Sequence, residues 1–145
     1  MTMPVMAEQG VRLRWRRSLA ARCATGVARP LVLLKPKRLR ALLLLWSRGA
    51  APATAAQALA AREAVVTVSA RCAGQGCLQR SVATALLCRL GGRWPDWCTG
   101  VRLQPFRAHA WVEAEGAAVG ESGDMSLYHT MLSVRVPRAS TEGRS

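Results

Sequence analysis

From residue 77 to 90 the chain reads CLQRSVATALLCRL, with Leu78, Val82, Leu86 and Leu90 spaced four apart. That is the repeat of one helix face. Ala83, Ala85 and Leu87 widen the apolar surface and leave a narrow polar strip, which predicts a helix buried on most sides. Gly91 and Gly92 end it. Upstream, KPKRLRALLLLWSRG puts Pro36 in a first helical turn and Gly49 just past the last one. The stretch GAAPA reads as a linker. Thr54 and Gln57 then have the T-x-x-Q spacing of a capping box, opening a helix over about 55–70. Val65, Val66 and Val68 weaken its last turns. The basic stretch VRLRWRRSLAARCA, 11–24, fits helix and extended chain alike, and RCAGQG, 71–76, reads as a glycine-containing loop.

Farther along, the period drops to two. After a turn at RWPDW, the segments CTGVRL (98–103), HAWVEA (109–114) and LSVRV (132–136) read as strands. Helices first and an antiparallel sheet second make the expected class α+β. A length of 145 residues suits one domain with a real core. Three parts are expected: a basic helical region at 1–52, a core at 53–138, and a disordered tail, ASTEGRS, at 139–145. There is no internal repeat.

The stretch HAWVEAEGAAVGE, 109–121, carries the most specific geometry. In a strand, His109, Trp111 and Glu113 share one face, and Ala110, Val112 and Ala114 the other. A three-residue loop at 114–116, with glycine in the left-handed position, pairs 113 with 117, 111 with 119 and 109 with 121. Glu121 then stands opposite His109, with Cβ atoms about 5 Å apart. A carboxylate there can hold one imidazole nitrogen and fix its tautomer. Glu113 lies about 13 Å along the same strand, and Asp124 lies beyond the paired segment. A two-residue turn at Glu115–Gly116 would instead put Ser122 opposite His109 and turn Glu121 away. An ordinary hairpin with a surface His–Glu pair is the bland alternative.

Composition narrows the picture. Half the residues are apolar, which excludes wholesale disorder. The net charge is +13, unevenly spread: residues 1–50 hold eleven Arg and Lys against Glu8, and the remainder ten against seven acids. Such a segment is either a solvated basic face or a contact for an acidic protein, an acidic peptide or anionic lipid. Arg12, Arg14, Arg16 and Arg17 fall within six consecutive residues of it. Nucleic acid is not the expected partner, since no finger spacing, aromatic stacking motif or helix-turn-helix accompanies the charge. The longest apolar runs, such as ALLLLW at 41–46, fall far short of the ~20 residues of a membrane span. MTMPVMAEQG lacks the features of a signal peptide. A cytoplasmic protein is expected, with peripheral membrane contact through residues 31–46 compatible with the pattern.

Five cysteines, an odd number without a CxxC, argue against a disulfide framework or a zinc site, and no cofactor or metal is expected. Cys72, Cys88 and Cys98 read as small buried hydrophobes. Cys77 differs. It begins the buried helix just after GQG, where the helix dipole and a nearby imidazolium would lower a thiol pKa. Gly74 and Gly76 let a substrate backbone come close. Cys77, His109 and Glu121 thus follow the nucleophile–base–orienter logic of thiol acyl transfer.

With these residues in place the chain resembles a known family. CLQRSVATALLCRLGG, GVRLQPFRAHAWVEAEGAAVGE and the basic, leucine-rich region before them are similar to the leader peptidases of lasso-peptide biosynthesis, over roughly residues 30–125. These belong to the transglutaminase-like branch of papain-fold cysteine proteases. The most specific stretches are C-L-x-R-S at 77–81 and H-A-W-V-E at 109–113. The resemblance implies Cys77 as nucleophile, His109 as general base and Glu121 as third member, where related triads often carry Asp. It implies the Cys77 backbone N–H as an oxyanion donor, with Gln75 a weaker candidate for a second. Trp111 reads as a shield or core residue.

In that family the peptidase is fused to, or separate from, a small winged-helix-like domain that recognises the leader. Residues before 30 leave no room for such a domain, so the split form is expected. The implied partners are the precursor peptide's leader, a separate recognition protein, and an ATP-dependent, asparagine synthetase-like cyclase acting on the freed amino terminus. Two rival readings use the same residues: an acyltransferase that passes the acyl group to an amine, and a non-catalytic basic adaptor.

Overall fold

A computed structural model describes residues 14–74 and 76–136 of the chain. Arg12, Gln75 and the tail at 139–145 lie outside the described residues. The ambiguous basic stretch is helical: α1 runs Trp15–Leu31. It turns Ala21, Ala24 and Ala28 inward, and these small side chains let it pack closely on neighbouring helices. Trp15, Leu19, Cys23 and Val27, at i+4 steps, lie on its exposed side. The helix α2, Pro36–Ser47, starts at the expected proline and buries Leu39 and Leu43. Among the described residues no helix is long and apolar enough to cross a membrane.

The helix α3, Ala55–Val68, opens on the expected capping box, with both reciprocal Thr54–Gln57 bonds formed. It stops two residues short of the expected end because Ser69 leaves the helix and its Oγ accepts the Cys72 N–H, starting the short turn α4, Ala70–Ala73. The expected 71–76 loop therefore begins as a helical turn. Two further expectations are corrected together. Ala51–Pro52 of the supposed linker is a strand, β1, pairing in parallel with β2, Arg93–Trp94, inside the supposed turn.

The helix α5, Cys77–Leu90, has the expected span, but its polar strip is not solvated. Gln79, Arg80, Ser81 and Thr84 are all buried, while Leu90 is 69 % exposed. Each buried polar group has a partner. Gln79 Nε2 donates to Thr25 O (3.1 Å), Thr84 Oγ1 to Arg80 O (2.7 Å), and Ser81 Oγ accepts Trp97 Nε1–H (3.0 Å). Arg80 Nη1 donates to Cys72 O (2.9 Å) and Gly74 O (3.2 Å), fastening the loop that leads into α5. The helix is enclosed by α1 and α3 on one side and the sheet on the other, so even its polar positions lie inside.

The sheet contains β3 (Asp96–Leu103), β4 (Phe106–Ala114), β5 (Ala117–Ala118) and β6 (His129–Val134) in the antiparallel order β5-β4-β3-β6. β3 and β4 are longer than their apolar alternation indicated, and β6 lies earlier, because backbone pairing continues through polar residues. Arg40 Nε donates to Ser133 O (3.1 Å), tying α2 to the outermost strand, β6. The fold is α+β, with the helix carrying Cys77 packed on the antiparallel sheet. One buried cluster joins Ala21, Leu43, Val65, Val82, Trp97 and Val112, so the change of composition near residue 53 is not a gap in the core.

Candidate active site

The hairpin that carries His109 closes with a two-residue turn. Ala114 pairs with Ala117, Glu113 with Ala118, and Val119 N–H donates to Val112 O (2.9 Å). Glu115 and Gly116 both have positive φ, 54° and 84°, the geometry that follows the right-handed twist of the strands. The three-residue register expected from the sequence is therefore corrected. Continued regularly, the observed register would have placed Ser122 opposite His109. Instead the strand ends after Ala118, and Gly120, with φ 71°, bends the chain inward. Glu121 reaches His109 by that bend, with its Oε1 2.6 Å from His109 Nε2.

An ionised carboxylate only accepts, so the proton on that bond belongs to Nε2. Nδ1 is left for the Cys77 thiol, which hydrogen-bonds the His109 side chain. Strand alternation explains the thiol's second contact. Val112 points its backbone polar groups toward β5, and Ala110, two residues earlier, does the same where β5 has already ended. The Ala110 N–H is thus outside the β3–β4 ladder, and it bonds the Cys77 sulfur.

The electrostatics follow from these contacts. Burial by itself would raise the Cys77 pKa, but the bonds from His109 and Ala110 and the charges of His109 and Arg80 outweigh it and hold the thiol below its ordinary value. His109 is raised to about 9, first by its bond to Cys77 and then by Glu121, against the effect of burial. Glu121 is also held low: burial opposes this, and His109, Arg62 and Arg80 bring it about. Both shifts run in the direction that favours a thiolate–imidazolium pair. Cys77 stands at the first residue of α5, where the helix leaves its N–H groups without intrahelical acceptors.

The other cysteines have no such surroundings. Cys72 is fully buried, and burial pushes Cys88 up to about 11 and Cys98 up to about 12. His129 is exposed on β6. Asp124 lies apart from His109's carboxylate bond, accepting the Ser126 N–H (3.0 Å) at the start of a 3-10 turn. Glu113 is engaged by Trp111 Nε1–H (2.9 Å) and Arg135 Nη1–H (3.1 Å). Glu115 accepts the Ala55 N–H at the start of α3. Three of the chain's few acids are thus fixed within one hairpin, each on a different task. Among the described residues no group of His, Cys, Asp and Glu could hold a metal ion.

Trp111 is buried and stacked on the His109 ring, with centroids 5.9 Å apart and planes at 16°. Tyr128 tilts against both rings at 5.7 and 5.8 Å. Together they cover one flank of the imidazole, as the shield reading of Trp111 expects. Sequence reasoning missed Tyr128, which arrives from an irregular segment with no pattern to follow. It also missed Arg62 and Arg80. For Arg62 a signal existed: it sits one helical turn after Ala58, on the apolar face of α3.

Compared with known families, residues 21–133 match the model of the transglutaminase-like superfamily. No curated protein matches the chain, and no solved structure does.

Proposed function

Because the chain belongs to the transglutaminase-like superfamily, whose fold suits cysteine proteases and acyltransferases, we propose that it is a cysteine peptidase. Its proposed task is to remove the leader from a lasso-peptide precursor. The observation that carries the enzyme reading is the chain of contacts from Cys77 through His109 to Glu121 at the start of α5. The narrower assignment draws support from the resemblance at 77–81 and 109–113.

In this reading the Cys77 thiolate attacks the carbonyl of the last leader residue, and the Cys77 backbone N–H steadies the oxyanion. The His109 imidazolium gives its Nδ1 proton to the departing amine of the core peptide, leaving the leader as a thioester. Water then attacks that thioester as His109 takes a proton from it. On collapse the thiolate is expelled, the leader leaves as a carboxylic acid, and the proton taken from water stays on His109 to restore the starting pair. Glu121 keeps the imidazole oriented throughout.

The test is the mass of the products when this protein, a precursor peptide and its recognition protein are mixed, with and without a primary amine. Leader ending in a free carboxylate in both samples is the expected result. A leader–amine adduct as the main product would replace hydrolysis with acyl transfer. No cleavage, together with an inert Cys77, would leave the adaptor reading.

Glu121→Gln is expected to lower kcat/KM on the order of 10²-fold, the scale of a misplaced catalytic group, without abolishing activity. Glu121→Asp should be milder because it keeps the charge. Steady-state cleavage rates check both, and wild-type rates in both variants would remove Glu121 from the mechanism.

The partner is proposed to be a separate leader-recognition protein with an acidic face. Residues 14–50 contain ten cations and no acid, and Trp15, Leu19 and Val27 stand exposed among them. Cleavage should be slow alone, fast with the partner, and lose that acceleration as salt rises. Screening lengths shrink from about 10 Å at 0.1 M to about 3 Å at 1 M. Replacing Arg12, Arg14, Arg16 and Arg17 with Gln should weaken the complex and spare reaction of Cys77 with a small electrophile. Partner affinity measured at two salt concentrations checks this, and an unchanged affinity returns the segment to a solvated surface.

A further inference from the structure

Arg62 is an unusual residue for its helix. Its neighbours on the inward face of α3 are Ala58, Ala61 and Val65, all fully buried, and Arg62 itself is only 6 % exposed. A guanidinium taken out of water needs a counter-charge. Arg62 Nη2 lies 3.7 Å from Glu121 Oε2, while the other oxygen of the same carboxylate holds His109 Nε2. The two oxygens of Glu121 are thus divided between a base and a cation.

The backbone is shaped for this. Gly120 has φ 71°, and a Cβ there would fall 2.6 Å from Arg62 Cδ and 2.8 Å from Nε. The bend that delivers Glu121 therefore rests directly on the arginine stem. Arginine and glycine fit only as a pair, because a side chain at 120 would have to displace the guanidinium or lift the bend.

We propose that Arg62 is a positioning residue, seated beneath Gly120, that keeps Glu121 ionised and aimed at His109 Nε2. It deepens the reading of Cys77, His109 and Glu121 as a triad and rests on it. The charge arithmetic explains the need. A thiolate and a carboxylate flank one imidazolium, and Arg62 and Arg80 offset the second anion, with Arg62 standing against the carboxylate oxygen that His109 does not hold. The charged groups around Glu121 are His109 from β4, Arg62 from α3 and Arg80 from α5, with Cys77 beyond the imidazole. The shift of Glu121 below the usual carboxylate range agrees with this arrangement.

The experiment follows alkylation of Cys77 by iodoacetamide across the pH range, read at Cys77 by mass spectrometry, with melting curves recorded in parallel. Removing the cation raises the Glu121 pKa, so the carboxylate is lost at higher pH and the imidazolium–thiolate pair with it. Arg62→Gln should move the acid limb of the profile up by about one pH unit, the lower range for losing one close opposite charge. Arg62→Lys should return most of that shift. Gly120→Ala, which displaces the guanidinium without removing it, should move the limb in the same direction and carries the test if Arg62→Gln does not fold. A role in packing alone would lower the melting temperature or the plateau and leave the limb in place; that result overturns the proposal. Alkylation needs no peptide, so a shifted limb in a protein that cleaves no precursor would defeat the peptidase reading and leave this one standing.

Discussion

Cys77→Ala is expected to abolish leader cleavage, with kcat/KM falling at least about 10³-fold to the detection limit. In the proposed reaction the thiol supplies the carbon–sulfur bond of the first half. Cys72 is the nearest cysteine in sequence, but it is fully buried, and its backbone is tied to Ser69 through its N–H and to Arg80 through its carbonyl. Cys72→Ala should therefore leave the chemistry largely intact. The two variants are compared by mass spectrometry of the cleavage products, with melting curves to show that both are folded. Activity retained in Cys77→Ala and lost in Cys72→Ala would overturn the assignment.

His109→Ala is expected to be nearly as damaging, at about 10²- to 10⁴-fold. In the proposed mechanism two functions go at once. The thiol loses the partner that holds it ionised, and the departing amine loses its proton donor. The pair also predicts the pH at which wild type fails on the alkaline side. His109 is raised to about 9, so its imidazolium persists below that value and disappears as pH rises through it. The lower end of the window lies beneath the ordinary thiol value, since Cys77 is shifted down. His129 sits exposed on β6, opposite Val101, and its replacement by Ala should change the rate little. If His129→Ala is the more damaging of the two, His109 is not the base.

The sequence pattern led to three residues that the fold does bring together, but by a different route from the one the backbone takes. Helix periodicity found α5 and put Cys77 at its first residue, because capping glycines and i+4 apolar spacing are local signals. The pairing of His109 with Glu121 was reached through a three-residue turn, and the molecule reaches it through a two-residue turn and a bend at Gly120. Twist favours the positive-φ turn at Glu115–Gly116, and strand alternation carries no information about where a strand will stop. The bend at Gly120 packs on the stem of Arg62, 58 residues earlier, and local pattern can mark that arginine as inward-facing but not name what it meets. The same holds for the polar face of α5. Gln79, Arg80 and Ser81 look like a solvent strip until partners at Thr25, Cys72, Gly74 and Trp97 take them up.

If this fold makes one of its five free cysteines a nucleophile, limited alkylation will single that cysteine out. The intact protein is treated with substoichiometric iodoacetamide on the acid side of neutrality, and each cysteine is read out by peptide mass spectrometry. Cys23 is exposed and serves as the internal reference, while Cys72, Cys88 and Cys98 are buried. Cys77 is expected to be labelled first and well ahead of Cys23, and His109→Ala is expected to remove this lead. Labelling led by Cys23, or a Cys77 rate indifferent to His109, would contradict the assignment.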